Sequence, residues 1–399
     1  MIKKIQQDFS YYSHEFKDNY RKGVHRLRTI LASRAQAQAF VSNAGGTAVV
    51  LGYEPDTPDK NAQELYALLA ASPYIDNAVQ TFLGSIYEAG AESQDAMYSD
   101  SARCLEILHD PVMSRAAGAG TVSAGKWIAT LAGQSCNLYR DMNAVAASDI
   151  AMTAVAASET AMEAVISGTI ALNAGAASKT AMTAVAANET AMAAVAASRV
   201  AMSAIIGNST ALNAVVTSSV AMAAVIGNST ALNAVVSSST AMAAIEKSQV
   251  AKDAIAASDM ATAKYAVGAA GLKPADYANM AAVAASQTAM AAIASSSTAR
   301  TAITNSATAK NALASSPLKT TVTKGNGNGW ENRTIRNGMG YLISCYNANS
   351  GGEAGSTWYK LDGAQTSQPA GTTNVGKFFT SSLAIYWWSS TSSVTYIPC

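Results

Sequence analysis

The residue types able to do chemistry are few and scattered. His14, His25 and His109 are the only histidines. An imidazole works as a base or a metal ligand only when a second group shares its site. His14 and His25 lie eleven residues apart on a predicted helix, so both could share a face, but no Asp, Glu or Cys joins them at triad or metal spacing. Cys104, Cys136, Cys345 and Cys399 form no C-x-x-C pair, which argues against a metal site. Cys345 and Cys399 share the C-terminal segment and could pair; reduced thiols in a protein made in a cytoplasm are the favoured expectation. The run Gly325-Asn326-Gly327-Asn328-Gly329 is glycine-rich but lacks the Lys-Ser/Thr of a phosphate-binding loop, and it reads as a hinge or linker. No carboxylate pair has a convincing pocket context. The expectation is therefore no catalytic residue, no cofactor, no metal and no enzyme.

What remains is recognition by aromatic rings. Four of the five tryptophans, Trp330, Trp358, Trp387 and Trp388, fall in the last 70 residues, with Tyr359 and Tyr386 beside them. Such rings are apolar across the face and polar at one edge, so they stack on sugars or anchor a protein partner. These six residues are the candidate receptor-binding set. On a strand, Tyr386-Trp387-Trp388 would send Trp387 to the face opposite the other two, so at least one of the three belongs to a core or a subunit interface.

The elements that must carry these rings are short strands. Residues 341–346, 357–361, 378–388 and 394–397 are β-prone, and Asp362-Gly363 is a hairpin signal. They predict a small β-sandwich-like C-terminal domain over residues 318–399. At the other end, residues 1–140 hold most of the charge. Helices are predicted over 9–41, 63–71 and 75–89, with a turn at Asp56-Thr57-Pro58-Asp59. Lys17, Arg21, Lys22, Arg26 and Arg28 give the first helix a basic face, read as a solvated or docking face rather than a nucleic-acid site.

Between them, residues 141–317 repeat every ten positions as Ser/Asn-x-Thr-Ala-Met-x-Ala-Val-x-x, for example Ser158-Glu159-Thr160-Ala161-Met162-Glu163-Ala164-Val165. Ten residues at about 100° each fall roughly 80° short of three helical turns, against about 20° for a heptad, so a continuous coiled coil would need severe overwinding. The sequence also supplies breaks. Ser or Asn precedes each Thr-Ala-Met as an N-cap, and Gly207-Asn208-Ser209 and Gly227-Asn228-Ser229 read as a stop followed by a cap. Ser316-Pro317 reads as a helix start, and Ser72-Pro73 and Asp110-Pro111 suggest degenerate repeats upstream. A helical solenoid is favoured over a coiled coil. Leu replaces Met at 172, 212 and 232, a 20-residue super-period that fits two helices per coil and about nine coils, roughly 90 Å in all at ~10 Å each. A single helix would run roughly 265 Å. The Met stripe reads as core, whereas Glu159, Lys179, Glu189, Arg199 and Gln249 read as exposed. A phase shift of two residues falls near 267–274.

Net charge is +1 and charged residues are 13% of the chain, so no global field argues for nucleic acid or an anionic membrane. Ser, Thr and Asn interrupt every decad, so no bilayer span is expected, and residues 1–8 carry no apolar run of a signal peptide.

Phrases such as Asn208-Ser209-Thr210-Ala211-Leu212-Asn213-Ala214-Val215-Val216 resemble the decapeptide repeats of bacteriophage tail-fibre and other virion structural proteins. The resemblance covers residues 141–317, under half the chain. The order of regions is also similar: an attachment domain, a repetitive shaft and a β-rich tip. The resemblance implies a virion protein assembled in a host cytoplasm. Its N-terminal domain would bind other tail or baseplate proteins, and its C-terminal domain a host envelope glycan or protein; a homotrimer is one assembly such fibres adopt. A virion scaffold or connector that uses the repeats for docking is the alternative. A bacterial repeat adhesin or an ice-binding repeat is a third reading, against which the lack of a leader or anchor counts.

Overall fold

The computed structural model describes residues 20–53, 60–87, 93–349 and 356–399. His14, Lys17, residues 9–19 of the expected first helix and the expected turn at 56–59 lie outside them, as do the side chains of Arg21 and Lys22. The chain is mainly helical with a C-terminal antiparallel β region, and it forms two compact units, Met1–Ala221 and Met222–Cys399.

In the first unit, helices Tyr20–Ala32 and Arg34–Val41 replace one long helix, because Ser33 adopts an extended conformation and starts a second. Helices Lys60–Ala70 and Ile75–Tyr87 fall on the expected segments 63–71 and 75–89, of which residues 88–89 lie outside the described ones. Leu27, Phe40, Leu51, Leu65, Phe82 and Trp127 are buried, so this region does build a core of large side chains. Asp110 caps the helix Pro111–Ala117 through Val112 N (2.8 Å) and Met113 N (2.9 Å), with the proline at its first position. Ser72-Pro73 forms a turn instead. Of the basic residues, Arg28 pairs with Glu64 at 2.5 Å.

The decads are nine-residue helices: Asp149–Ala157, Glu159–Ser167, Thr169–Ala177, Lys179–Ala187, Glu189–Ala197, Arg199–Gly207 and Ser209–Thr217. A single extended residue separates them, such as Ser158 (φ −103°, ψ 115°), and at every break but Gly168 its side chain accepts from the third amide of the next helix. The chain turns by 100° between Asp149–Ala157 and Glu159–Ser167, and by 100° again between Glu189–Ala197 and Arg199–Gly207. Three such bends bring it round. Asp149–Ala157 therefore packs on Lys179–Ala187, which packs on Ser209–Thr217, and Glu159–Ser167 packs on Glu189–Ala197. This corrects the expected coil of two decads: the coil has three. Two per coil would need bends near 180°, and a one-residue break does not give them.

The capping serine does two jobs. Ser178 Oγ accepts from Ala181 N at 3.2 Å and donates to the carbonyl of Ala146 in the preceding coil. Ser218 ties to Ala186 in the same way. A hydroxyl is both donor and acceptor, so one small side chain starts a helix and fastens the next coil. Ala151, Ala161, Ala171, Ala181 and Ala191 are fully buried, and the Met stripe fills the core beside them, as with Met152 and Met192. Glu159, Lys179, Glu189, Arg199 and Gln249 are exposed as expected. Ser198 caps its helix through Ala201 N without such a tie. Ser198→Ala is thus expected to cost about 1 kcal/mol and Ser178→Ala about 2 kcal/mol, because the second also strands a carbonyl. Urea denaturation of the two variants checks this; equal losses would mean the tie contributes nothing.

A longer motif occurs once in each unit, 138 positions apart from Lys126 to Lys264. Each copy has an eleven-residue helix, a 3₁₀ turn and a five-residue helix: Thr121–Leu131, Cys136–Leu138 and Met142–Ala146, then Asp259–Ala269, Pro274–Asp276 and Met280–Ala284. Both long helices end on a glycine with positive φ, Gly133 (72°) and Gly271 (79°). The next amide reaches back five residues, Gln134 N to Ala129 O and Leu272 N to Val267 O, as a Schellman stop requires. Both bury a lysine that donates to the 3₁₀ turn: Lys126 to Cys136 O and Tyr139 O, Lys264 to Pro274 O. Ser158 and Ser296 tie to Leu131 and Ala269 at 3.0 Å each. The phase shift near 267–274 is therefore the second copy of this motif rather than an isolated insertion.

In the second unit, Asp259–Ala269 packs on Ser297–Asn305, and Met280–Ala284 on Ala307–Ala314. Ser316-Pro317 does not start a helix. Ser316 donates to Ala284 O, and the chain turns directly into a strand. The described residues that follow form eight strands: β1 Thr320–Thr323, β2 Glu331–Asn337, β3 Gly340–Asn347, β4 Trp358–Leu361, β5 Ala364–Ser367, β6 Gly371–Phe379, β7 Ser382–Trp387 and β8 Ser393–Pro398. They make two antiparallel sheets, ordered β1-β8-β3-β6 and β2-β7-β4-β5. The expected strand over 378–388 is the end of β6 and the whole of β7, joined by Thr380-Ser381. Between the sheets lie Leu342, Cys345, Phe379, Leu383, Ile385 and Trp387. The other face of the first sheet is covered too: Tyr341 and Ile397 join the core of the helices that hold Met290, Ile293, Ile303 and Leu313. All four cysteines are free, and burial pushes the Cys345 thiol up to about 12. Among the described residues no single helix is long and apolar enough to cross a membrane.

Candidate functional site

The six candidate aromatics divide by strand alternation. Trp387 and Tyr359 point inward and are buried at 0% and 5% exposure, so neither belongs to a surface site. Trp330, Trp358, Tyr386 and Trp388 share the outer face of the second sheet. Antiparallel register sets Tyr386 on β7 between Asn332 on β2 and Trp358 on β4, and Trp358 opposite Ser367 on β5.

Neighbouring strands are ~4.8 Å apart, which is the distance at which two upright rings stack. Trp330 stacks on Tyr386 with centroids 4.8 Å apart and planes 8° from parallel. Tyr386 stacks on Trp358 at 5.2 Å and 18°. Trp388 closes one end of the row edge-on to Trp330, at 5.4 Å and 62°. Lys360 closes the other, its Nζ 4.5 Å from the Trp358 ring centroid. The result is a ridge whose inner ring faces are taken by one another. It is not a flat platform. Trp330 is the most exposed member at 38%. The ring face open to exchange is that of Trp358, because the long flexible stem of Lys360 can swing away.

The flanks are polar and carry little charge. Asn332, Thr334, Gln365 and Ser367 are exposed on the same face, in register with the rings or one pair further along. They offer amides and hydroxyls at the edge of an apolar ridge.

Two turns hold the ridge in place. The segment Gly325-Asn326-Gly327-Asn328-Gly329, expected to be a linker, is an ordered connection. Positive φ at Gly325, Asn326, Gly327 and Gly329 lets it fold tightly. Gly325 N bonds Ser390 O at 3.0 Å, Gly329 N bonds Trp388 O at 2.9 Å, and Ser390 N bonds Asn328 Oδ1 at 3.0 Å. Trp330 is thereby set beside Trp388. Asp362-Gly363 is the hairpin turn that its sequence predicts, with φ of 52° and 85°. Burial alone would raise the Asp362 carboxyl, but amides from Thr380, Ser381 and Ser382 outweigh it and hold the group at about 2. That carboxylate fastens the β4–β5 hairpin to the turn before β7, the strand that carries Tyr386.

Sequence reasoning found four members of the ridge and missed Lys360, Asn332, Thr334, Gln365 and Ser367. The signal was two-residue alternation from Trp330 and Trp358. It was unreadable because β2 (Glu-Asn-Arg-Thr-Ile-Arg-Asn) and β5 (Ala-Gln-Thr-Ser) lack an apolar alternation. Of the histidines, His25 and His109 are exposed, and among the described residues no cluster of His, Cys, Asp or Glu could hold a metal ion. No protein-family model matches the chain, and no curated protein matches it.

Proposed function

We propose that this chain is a structural component of a bacteriophage virion, a tail fibre or similar appendage, and that its C-terminal sandwich attaches the particle to a glycan of the host envelope. The observation that carries the attachment role is the row Trp388, Trp330, Tyr386, Trp358 and Lys360 on one sheet face. Large rigid rings bind with little loss of side-chain freedom, and Trp and Tyr are the residues on which binding energy concentrates. The uncharged flank of Asn332, Thr334, Gln365 and Ser367 suits sugar hydroxyls, and a sugar ring can take the place of Lys360 on Trp358. The virion assignment rests on the decapeptide repeat, whose small side chains are committed to coil-on-coil packing and leave recognition to the ends.

The test is an array of bacterial lipopolysaccharides and capsular polysaccharides, probed with the whole chain. The helices cover one face of the first sheet, so the sandwich is not tested alone. Saturable binding to one or a few polysaccharides, competed by the free polymer, is expected. A fully folded chain that binds none of them, or that binds only proteinase-sensitive sites on cells, would overturn the glycan assignment.

A further inference from the structure

Tyr341 is a polar group without a partner in a place where that is costly. It sits on β3 at 1% exposure, and its hydroxyl oxygen makes no hydrogen bond among the described residues. A native structure rarely leaves such a group stranded without a reason. Its ring is fixed edge-on against Phe378, with centroids 4.8 Å apart. A cleft of about 300 Å³ opens between the helix Ala307–Ala314 and the strands β3 and β6, and Tyr341, Lys310, Asn311 and Asn374 line it. That volume is at the small end for ligand sites.

The cleft is made by a bulge. Between Leu342–Lys377 and Ser344–Asn374 the ladder slips, so that Val375 and Gly376 together face Ile343. Gly376 has φ of 59° and no side chain. A Cβ placed there would lie 3.2 Å from Tyr341 Oη and 3.5 Å from Lys310 Cδ. The lysine stem and the tyrosine hydroxyl thus both border one point kept open by glycine. Lys310 has no ion-pair partner among the described residues. One cation and one buried donor lacking an acceptor face the same small space, with two exposed amides at its rim.

We propose that this cleft binds a hexose-sized carboxylate, a uronic acid, with the carboxylate held between Lys310 and the Tyr341 hydroxyl and the ring hydroxyls on Asn311 and Asn374. Binding draws the Lys310 ammonium onto the ligand and moves its stem off Gly376, which gives the tyrosine its acceptor. Burial pushes the phenol up to about 12, so it stays a donor near neutral pH. The site lies on the first sheet and does not depend on the aromatic ridge of the second.

The test uses the whole chain with sodium glucuronate and sodium galacturonate as probes, and glucose and galactose as neutral controls. At least one uronate should raise the thermal midpoint in a saturable way while the sugars do not. Lys310→Met should abolish the shift. Tyr341→Phe should raise the midpoint of the unliganded protein, by removing a stranded hydroxyl, and weaken uronate binding on the order of tenfold or more. Tyr386→Ala should leave uronate binding unchanged. The proposal fails if neither uronate binds, if the neutral sugars bind equally, or if Tyr341→Phe and Lys310→Met bind as well as the parent.

Discussion

Replacing Tyr386 with alanine is expected to cost the sandwich about 1–3 kcal/mol and to weaken attachment at least thirtyfold. Tyr386 is the middle ring of the ridge. It stacks on Trp330 at 4.8 Å and on Trp358 at 5.2 Å, so one substitution removes two ring pairs. Each such pair contributes about 0.5–1.5 kcal/mol beyond the area it buries. The binding loss is larger because both indoles then lose the neighbour that orients them, and a central anchor contributes about 2 kcal/mol or more. Tyr386→Phe keeps both stacks and should stay close to the parent in stability. Thermal denaturation and polysaccharide titration of the two variants separate the effects. If Tyr386→Ala binds its polysaccharide as tightly as the parent, the ridge is a brace for the sheet and recognition lies elsewhere.

The second large effect is an asymmetry between the two copies of the long motif. Lys126 donates to Cys136 O and Tyr139 O and forms an ion pair with Asp95. Lys126→Met would leave two carbonyls and a carboxylate without their cation. The Asp95 side chain is 48% exposed and water takes up part of the loss, so about 2–3 kcal/mol is expected. Lys264 occupies the same place but makes one hydrogen bond, to Pro274 O at 3.2 Å, and has no carboxylate partner among the described residues. Burial lowers its pKa below the usual 10.5. A lysine with a lowered folded pKa destabilises the fold below that pKa, and the penalty fades as pH rises toward the unfolded value. Lys264→Met should therefore be neutral or stabilising by up to about 1 kcal/mol, and should remove a rise in stability on the alkaline side below pH 10.5. Chemical denaturation of both variants at neutral pH, and of the Lys264 pair across the alkaline range, measures the contrast. Equal destabilisation by both substitutions would contradict it.

The capping logic of the decad was legible in the residues alone. Ser, Asn and Gly at fixed places state where a helix ends and the next begins, and those signals are local. The number of helices in a coil was not legible. The super-period of Leu at 172, 212 and 232 pointed to two, yet the coil has three. The bend at each cap sets that number. A bend is a property of the backbone at Ser158 and its equivalents, and side-chain periodicity does not report it. The serine hydroxyl's second bond was hidden for the same reason, since its partner lies 32 residues away in the coil before.

The site divides in the same way. Composition showed that tryptophans gather at the C-terminus, and alternation showed that Trp387 must face away from Tyr386. Which rings meet was settled by strand order. Trp330, Tyr386 and Trp358 come from the residue before β2, from β7 and from β4, up to 56 residues apart, and they touch only because those strands are neighbours in one sheet. The glycine-rich segment shows the limit most plainly. Its composition says that the backbone can adopt positive φ, and reads equally well as a loose linker. Only the bonds to Trp388 and Ser390 make it an ordered turn. The sequence by itself determined where the decad helices cap and stop and which face of a strand each ring takes. The tertiary structure decided partners, because hydrogen bonds and ring contacts between distant segments depend on where the chain has been carried by every bend before them.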